Sequence, residues 1–390
     1  LGGILNTRNR FGLPAAQPVL GNFLAVSAGV ALLLMTPSLE SGARIWASAL
    51  LAGGVAGVLM LLPAVRRGEP LGFRRRPWAP GMGRVIRQML VLGMASSAAQ
   101  VNIVINSGLA SRLGTGAVSW LDYGFRLYYL PIGLIGVALG TVILVDASKL
   151  AARGETTKLR RSSAESQRMN LFLGVPAAVG LGMLAQPIIA ALLQRGAFGA
   201  EDTLRTAEAL RYLAIGVPFA CMTKGLLPVT FALNREKLAA VSSLLAVIAN
   251  LSWAIPMASP DGVPSWAAAL SLPGGVEALA LGTTIAAATQ WLVLQIGLRR
   301  SPEKIPFPPV GLILPLVGIS VALALTCRGV EAVVGSLEIP PAIASLIVVL
   351  VAVPLGGVLV VLIGKKLGLA EARALVDALR PSRKPPQPPQ

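Results

Sequence analysis

Ten apolar stretches, each long enough to cross a bilayer, recur from one end of this chain to the other, and no feature narrows its fold more. They cover 15–35, 46–64, 84–110, 117–145, 169–194, 207–232, 238–257, 275–297, 309–327 and 341–363. A span needs about 20 residues to cross about 30 Å of hydrocarbon. Within lipid every backbone donor and acceptor has to be satisfied internally, which leaves helices or closed barrels, and these stretches are too long for barrel strands. The sequence therefore predicts an all-α polytopic membrane protein of about ten transmembrane helices. Apolar residues make up 54% of the chain and charged residues 13%, as that class requires.

A formal net charge of +17 invites a nucleic-acid reading, and its distribution rejects it. Segments 1–14, 66–87, 149–168, 233–237, 298–308 and 364–390 hold 26 of the 34 Lys and Arg, whereas the five intervening loops hold 6. The other two, Arg126 and Lys224, fall inside spans. Alternation this regular is the positive-inside pattern, and it puts both ends of the chain in the cytoplasm. The basic excess then reads as topology and contact with anionic membrane lipids, with no nucleic-acid partner.

Motifs that carry chemistry are nearly absent. The chain has no histidine, which removes the commonest general base and metal ligand together. Cys221 and Cys327 lie within spans, where a thiol behaves as a small hydrophobe, and no metal-ligand spacing occurs. Gly364-Lys365 is followed by Lys366 and so is no phosphate loop. Neither G-x-S-x-G, H-E-x-x-H nor C-x-x-C is found. No enzyme, cofactor or metal site is expected. A transporter, a channel or a membrane scaffold remains, and the lack of a repeated ring-forming motif speaks against the channel.

Arg126 sits about two turns inside the 117–145 span, where a charge costs at least ~2.5 kcal/mol. Asp122 lies four residues earlier on the same helical face. The two could form a self-neutralised pair that packs helices, or Arg126 could await an anionic substrate; we favour the second. Pro131 follows, and then Gly133, Gly136 and Gly140 on one stripe. A proline frees a backbone carbonyl and spaced glycines let helices approach, so this set is a candidate helix break and gate, or ordinary packing. On the preceding span Gln100, Asn102 and Asn106 line a wet cavity or hydrogen-bond between helices. Lys224, with Pro228 after it, is a second intramembrane cation, close enough to a cytoplasmic end to snorkel.

Between the spans, 66–83 (RRGEPLGFRRRPWAPGMG) reads as a cytoplasmic linker, with Phe73 and Trp78 at the headgroup level. Residues 149–168 read as a solvated cytoplasmic loop, and the tail PSRKPPQPPQ as disordered. The opening LGGILNTRNRFGLPA lacks a signal-peptide layout and reads as a helix end followed by a loop, so upstream sequence is expected.

Four ordered motifs carry a family resemblance over roughly 1–300. ILNTRNRFGLPAAQPVLGN (4–22), SW-x-x-Y-x-x-RL-x-x-LP-x-G-x-x-GVALGT (119–141), QRGAFGAEDT (194–203) and Lys224-Gly-Leu-Leu-Pro228 resemble segments of the MurJ/MviN family of lipid II flippases, within the multidrug/oligosaccharidyl-lipid/polysaccharide exporter superfamily. The resemblance implies two six-helix lobes and two extra C-terminal helices. On that plan 1–65 is the remnant of an N-terminal lobe with two spans, and 66–83 the inter-lobe linker. Residues 84–300 form the C-terminal lobe, 301–365 the two additional spans, and 366–390 a cytoplasmic tail, partly disordered. It further implies alternating-access flipping of lipid II, the undecaprenyl-diphosphate-linked muropeptide, across the bacterial inner membrane for cell-wall synthesis. Cell-wall synthesis enzymes would be further partners. Arg126 would match a cavity arginine that holds the diphosphate, in a substrate-binding set with Asp122, Tyr123, Lys224 and Asn106. Pro131, Gly133, Gly136 and Gly140 would form the break or gate. Alternatives are a flippase for another lipid-linked sugar, a drug exporter of the superfamily, or a scaffold that does not transport. The chain departs from the family at Leu144-Val145-Asp146-Ala147-Ser148, where a Leu-Pro-x-Leu-Ser run is usual, and at Arg235-Glu236-Lys237.

Overall fold

A computed structural model describes Leu5 and residues 12–35, 38–66, 82–259 and 262–379. Among the described residues the regular structure is helical, and internal contacts divide the chain into two units, Leu1–Met82 and Gly83–Gln390. The linker expected at 66–83 falls largely on residues outside the description, as does the Pro-rich tail beyond 379.

In the first unit α1 (Gly12–Met35) and α2 (Leu39–Arg66) run antiparallel. Small residues set their separation: a Cβ on Gly53 would lie 3.2 Å from the Gly21 Cα, and one on Gly57 would lie 2.8 Å from Gln17. Glycines at such positions let two backbones close together in lipid, where no hydrophobic force drives the helices together.

The second unit begins with α3 (Met82–Ala110). A continuous rod follows, made of α4 (Ala117–Pro131), a π-helical segment Ile132–Val137 and α5 (Ala138–Ala152). Next come α6 (Thr156–Met183), α7 (Ala185–Leu193), α8 (Ala200–Ala232), α9 (Glu236–Met257) and the short α10 (Ser265–Ala269). The chain continues through α11 (Gly275–Arg299), α12 (Ile313–Gly335), α13 (Pro341–Lys366) and α14 (Ala370–Leu379). Among the described residues eight helices are long and apolar enough to cross a membrane, or nine when α6 and α7, bent by 65°, count as one broken span. The tenth expected segment, 84–110, forms α3, many of whose side chains lie outside the description, so it does not enter that count.

α8 is the hub. Its buried side includes Leu210, Leu213, Val217, Cys221, Leu226 and Val229, packed among α4, α5, α6 and α11. Close approach again needs missing side chains. A Cβ on Gly216 would meet Thr284 Oγ1 at 2.8 Å, and one on Gly174 would lie 3.2 Å from the Pro218 Cα. α12 and α13 pair and pack on α6 and α7, while Leu314, Leu325, Leu350 and Val358 stay exposed, as lipid-facing residues should.

One expectation needs correction. Residues 149–168 are not a solvated loop: α5 runs to Ala152, α6 starts at Thr156, and Leu159, Ser163 and Gln167 are buried. Their three- and four-residue spacing, continuing to the buried Asn170, is helical, and small or amide side chains hide behind the surface arginines. Residues 370–379, within the expected tail, form α14. It docks through an ion pair between Arg168 Nε and the buried Glu371 Oε1, with Ala372 seated beside Gly364 and Phe172.

Candidate functional site

α4 presents two faces. Leu121, Phe125, Leu127 and Tyr128 are buried, while Asp122, Arg126, Tyr129 and Gly133 form an open stripe along the opposite side. The helix is fixed at its start by Trp120, whose Nε1 donates to Asp202 Oδ1 at 2.7 Å. Asp202 also accepts from the Gly199 backbone at 2.8 Å, closing the first turn of α8, so one carboxylate registers both helices.

On the open stripe the Arg126 Nε donates to Asp122 Oδ2 at 2.9 Å, and its Nη2 lies 2.9 Å from the same oxygen. The expected i, i+4 pair is therefore formed, yet it remains open, with side chains 71% and 56% exposed. The guanidinium also stands 5.6 Å from the centre of the Tyr123 ring, which packs edge-on against Phe198 at 5.6 Å. Asp122 and Tyr123 thus hold the cation in place while it keeps donors to spare, since a guanidinium has five N–H groups.

Lys224 lies elsewhere. It lines a cleft of about 230 Å³ with Asn102, Tyr128, Tyr129, Thr223 and Gln290, and Arg126 is not part of that wall. The lysine is exposed and forms no ion pair among the described residues. Gly136 and Gly140 seat its backbone: a Cβ on Gly136 would lie 3.1 Å from the Cys221 Cα, and one on Gly140 would lie 2.7 Å from the Lys224 carbonyl oxygen. Gly133 does not share this seam, for nothing lies within 4 Å of where its Cβ would be. Pro131 is followed by the π-helical segment rather than by a gap in the helix. Such wide turns are frequent at functional sites.

Asn106 is the sequence candidate the structure moves out of the cavity wall. It is fully buried, with Nδ2 donating to Thr283 Oγ1 at 3.0 Å and Oδ1 accepting from Asn250 Nδ2 at 3.0 Å. Asn250 also donates to Asn102 Oδ1 at 3.2 Å, so the amides tie α3, α9 and α11 beneath the cleft. Asn102 and Thr283 belong to both the network and the cleft. Tyr128, Tyr129, Thr223 and Gln290 come from three helices and carry no local signal that would single them out in the sequence. On the opposite face of α4 from the cleft, an apolar groove of about 430 Å³ runs past Leu130, Pro131 and Leu134 between α6, α12 and α13, and Leu375 of α14 joins its wall.

The family model for the lipid II flippase MurJ matches residues 1–338. The chain belongs to the MurJ family. Among curated relatives it is similar to a lipid II flippase MurJ from Burkholderia cenocepacia, 35% identical over 234 residues, covering 58% of this chain and 44% of that protein. A probable lipid II flippase MurJ from Bdellovibrio bacteriovorus is 33% identical over 259 residues, covering 65% of this chain and 48% of that protein. The chain thus spans about half the length of the curated MurJ relatives it matches. Among solved structures, one of a lipid II flippase MurJ in an inward closed conformation superposes with a TM-score of 0.70 at 21% identity, covering 93% of this chain and 70% of that one. A MATE transporter from Vibrio cholerae shares the fold more loosely, at a TM-score of 0.51 and 16% identity over 78% of this chain. Membership of the MurJ family and the apolar helices make this a multi-pass inner-membrane protein.

Proposed function

We propose that the chain carries the C-terminal half of a lipid II flippase. The observation that carries the reading is an arginine inside a membrane-length helix, fixed by Asp122 and Tyr123 but left open, in a chain of the MurJ family. A charge at that depth is maintained against a cost of at least ~2.5 kcal/mol, and its spare N–H donors suit a diphosphate, which accepts charge-assisted and bidentate hydrogen bonds. Arg126 would take the phosphate oxygens, and Asp122 would keep the guanidinium planar to the approach. The cleft with Lys224, Asn102 and Gln290 would meet the polar head. The apolar groove beside Pro131 would accept part of the isoprenoid tail, which stays in lipid while the head crosses. Pro131, with Gly136 and Gly140 on α8, would form the element that moves during alternating access. On this reading both chain ends would lie in the cytoplasm, which the distribution of basic residues among the loops supports.

The test expresses the protein from its full open reading frame in bacteria depleted of their own flippase and measures lipid II exposed at the outer leaflet. Recovery that disappears with Arg126→Ala is the expected result. Full recovery with Arg126→Ala would remove the arginine from the mechanism. No recovery by a correctly inserted parent protein would reject lipid II as the substrate.

A further inference from the structure

A second recess, larger than the cleft, lies away from Arg126 and Lys224. It measures about 1160 Å³ and is walled by α6, α7, α8, α12 and α13. Its sides are apolar, with Val175, Val179, Met183, Ile215, Val334 and Val348 among them. At one end it carries Arg211 of α8 and Arg328 and Glu331 of α12. Both arginines are exposed, and among the described residues neither lies in an ion pair, although Glu331 is within electrostatic reach of both. The elements meet here by the C-terminal part of α6, the N-terminal part of α8, the C-terminal part of α12 and the N-terminal part of α13. These are the ends opposite the basic loops.

We propose that this recess binds one anionic phospholipid of the phosphatidylglycerol class, its phosphate on Arg211 and Arg328 and its acyl chains along α6, α12 and α13. Charge selects that occupant. Two guanidiniums and one carboxylate leave one net positive charge, which a single phosphodiester neutralises. A lipid diphosphate would overshoot and set its second charge against Glu331. A zwitterionic lipid would bring its own cation to two arginines. The apolar walls exclude a free phosphate as the main ligand, because they gain only from buried hydrocarbon. Gln186 and Ser345, which also line the recess, offer partners to a glycerol headgroup. With the orientation given by the basic loops, the lipid belongs to the outer leaflet; the binding itself does not depend on lipid II transport.

The experiment is native mass spectrometry of the full-length detergent-solubilised protein, titrated separately with dioleoyl phosphatidylglycerol, dioleoyl phosphatidylcholine, glycerol 3-phosphate and undecaprenyl diphosphate. One phosphatidylglycerol is expected to be retained in preference to the other three. An arginine near an anionic lipid contributes about five-fold, so Arg211→Gln with Arg328→Gln should weaken retention about 30-fold. Glu331→Gln should strengthen it about five-fold by the same reasoning, a gain that damage to the fold would not produce. Ser345→Trp, which puts an indole into the recess beside its wall and keeps both arginines, should weaken retention of the lipid. Equal retention of the two phospholipids, or retention unchanged in the double arginine variant, overturns the proposal. Tight binding of glycerol 3-phosphate would make the site one for a soluble anion, and preference for undecaprenyl diphosphate would assign the recess to the transported lipid; either rejects it.

Discussion

Replacing Gly140 by alanine places a methyl carbon 2.7 Å from the carbonyl oxygen of Lys224. A backbone oxygen inside the hub helix cannot rotate away, so α5 or α8 has to shift by several tenths of an ångström along their seam. Overpacking of this kind costs about 1–3 kcal/mol, or roughly 5- to 150-fold in the folding equilibrium. Gly136→Ala meets the Cys221 Cα at 3.1 Å and the Lys224 stem at 3.3 Å, a milder conflict in which the lysine stem can yield, so its cost should fall near about 1 kcal/mol. Gly133→Ala meets nothing within 4 Å and should be neutral or stabilising by about 0.4–1 kcal/mol, through loss of backbone freedom in the unfolded chain. Thermal unfolding of the three purified variants in one detergent gives the order directly. The expected ranking of melting temperature is Gly133→Ala highest, then Gly136→Ala, then Gly140→Ala. If Gly133→Ala were the most damaging, or all three were alike, the seam between the π-helical segment, α5 and α8 would not be where stability is set.

Arg126→Lys keeps the charge but loses the planar fork that gives Asp122 Oδ2 both Nε and Nη2, and transport in the depletion assay should fall several-fold; equal transport would refute the bidentate contact. Arg168→Ala strands the buried Glu371 carboxylate, at a cost of about 2 kcal/mol, less than for a fully buried pair because Arg168 is partly exposed. Hydrogen exchange should then show residues 370–379 losing protection while α6 keeps it. The Lys158 ammonium, 2.6 Å from Glu155, holds that carboxyl below the usual range. Its contribution is therefore present above the ordinary glutamate pKa of about 4.3 and is lost as pH falls through the lowered folded value. Melting temperatures of the parent protein and Glu155→Gln should differ at neutral pH and converge in acid.

Hydropathy and loop charge make the class of this fold legible, because a span is a local property of about 20 residues. The Asp122–Arg126 pair was legible for the same reason, four residues on one helical face. What local sequence could not show was packing. Asn106 looks like a cavity residue until Asn250 and Thr283, each well over 100 residues away, use up its amide. Lys224 could be placed in a span, but its cleft is built from four other helices, α3, α4, α9 and α11. Residues 149–168 misled because their arginines dominate the composition, while the helix they belong to is marked by the less conspicuous Leu159, Ser163 and Gln167. Pro131 and the glycines after it stand out in the sequence, but a wide turn cannot be told from a break without the backbone.

That wide turn changes the phase of the rod it sits in. Along an uninterrupted α-helix each residue advances about 100°, so Gly140 would lie only about 40° from Arg126, on the open stripe. The surplus carried by Ile132–Val137 amounts to about one residue of rotation, and it turns everything downstream onto the buried side, where Gly140 meets Lys224. The wide turn therefore lets both halves of the span keep one continuous buried face, from Leu121 through Gly140 to Ala147, on α8. Deleting a single residue within 132–137 would remove the surplus and leave a plain α-helix of the same phase, with Gly140 still on α8, whereas inserting one would swing Ala138–Ala152 by about 100° and turn the glycine seam away from α8. Spacing between Arg126 and Gly140 is thus an angular setting as much as a length.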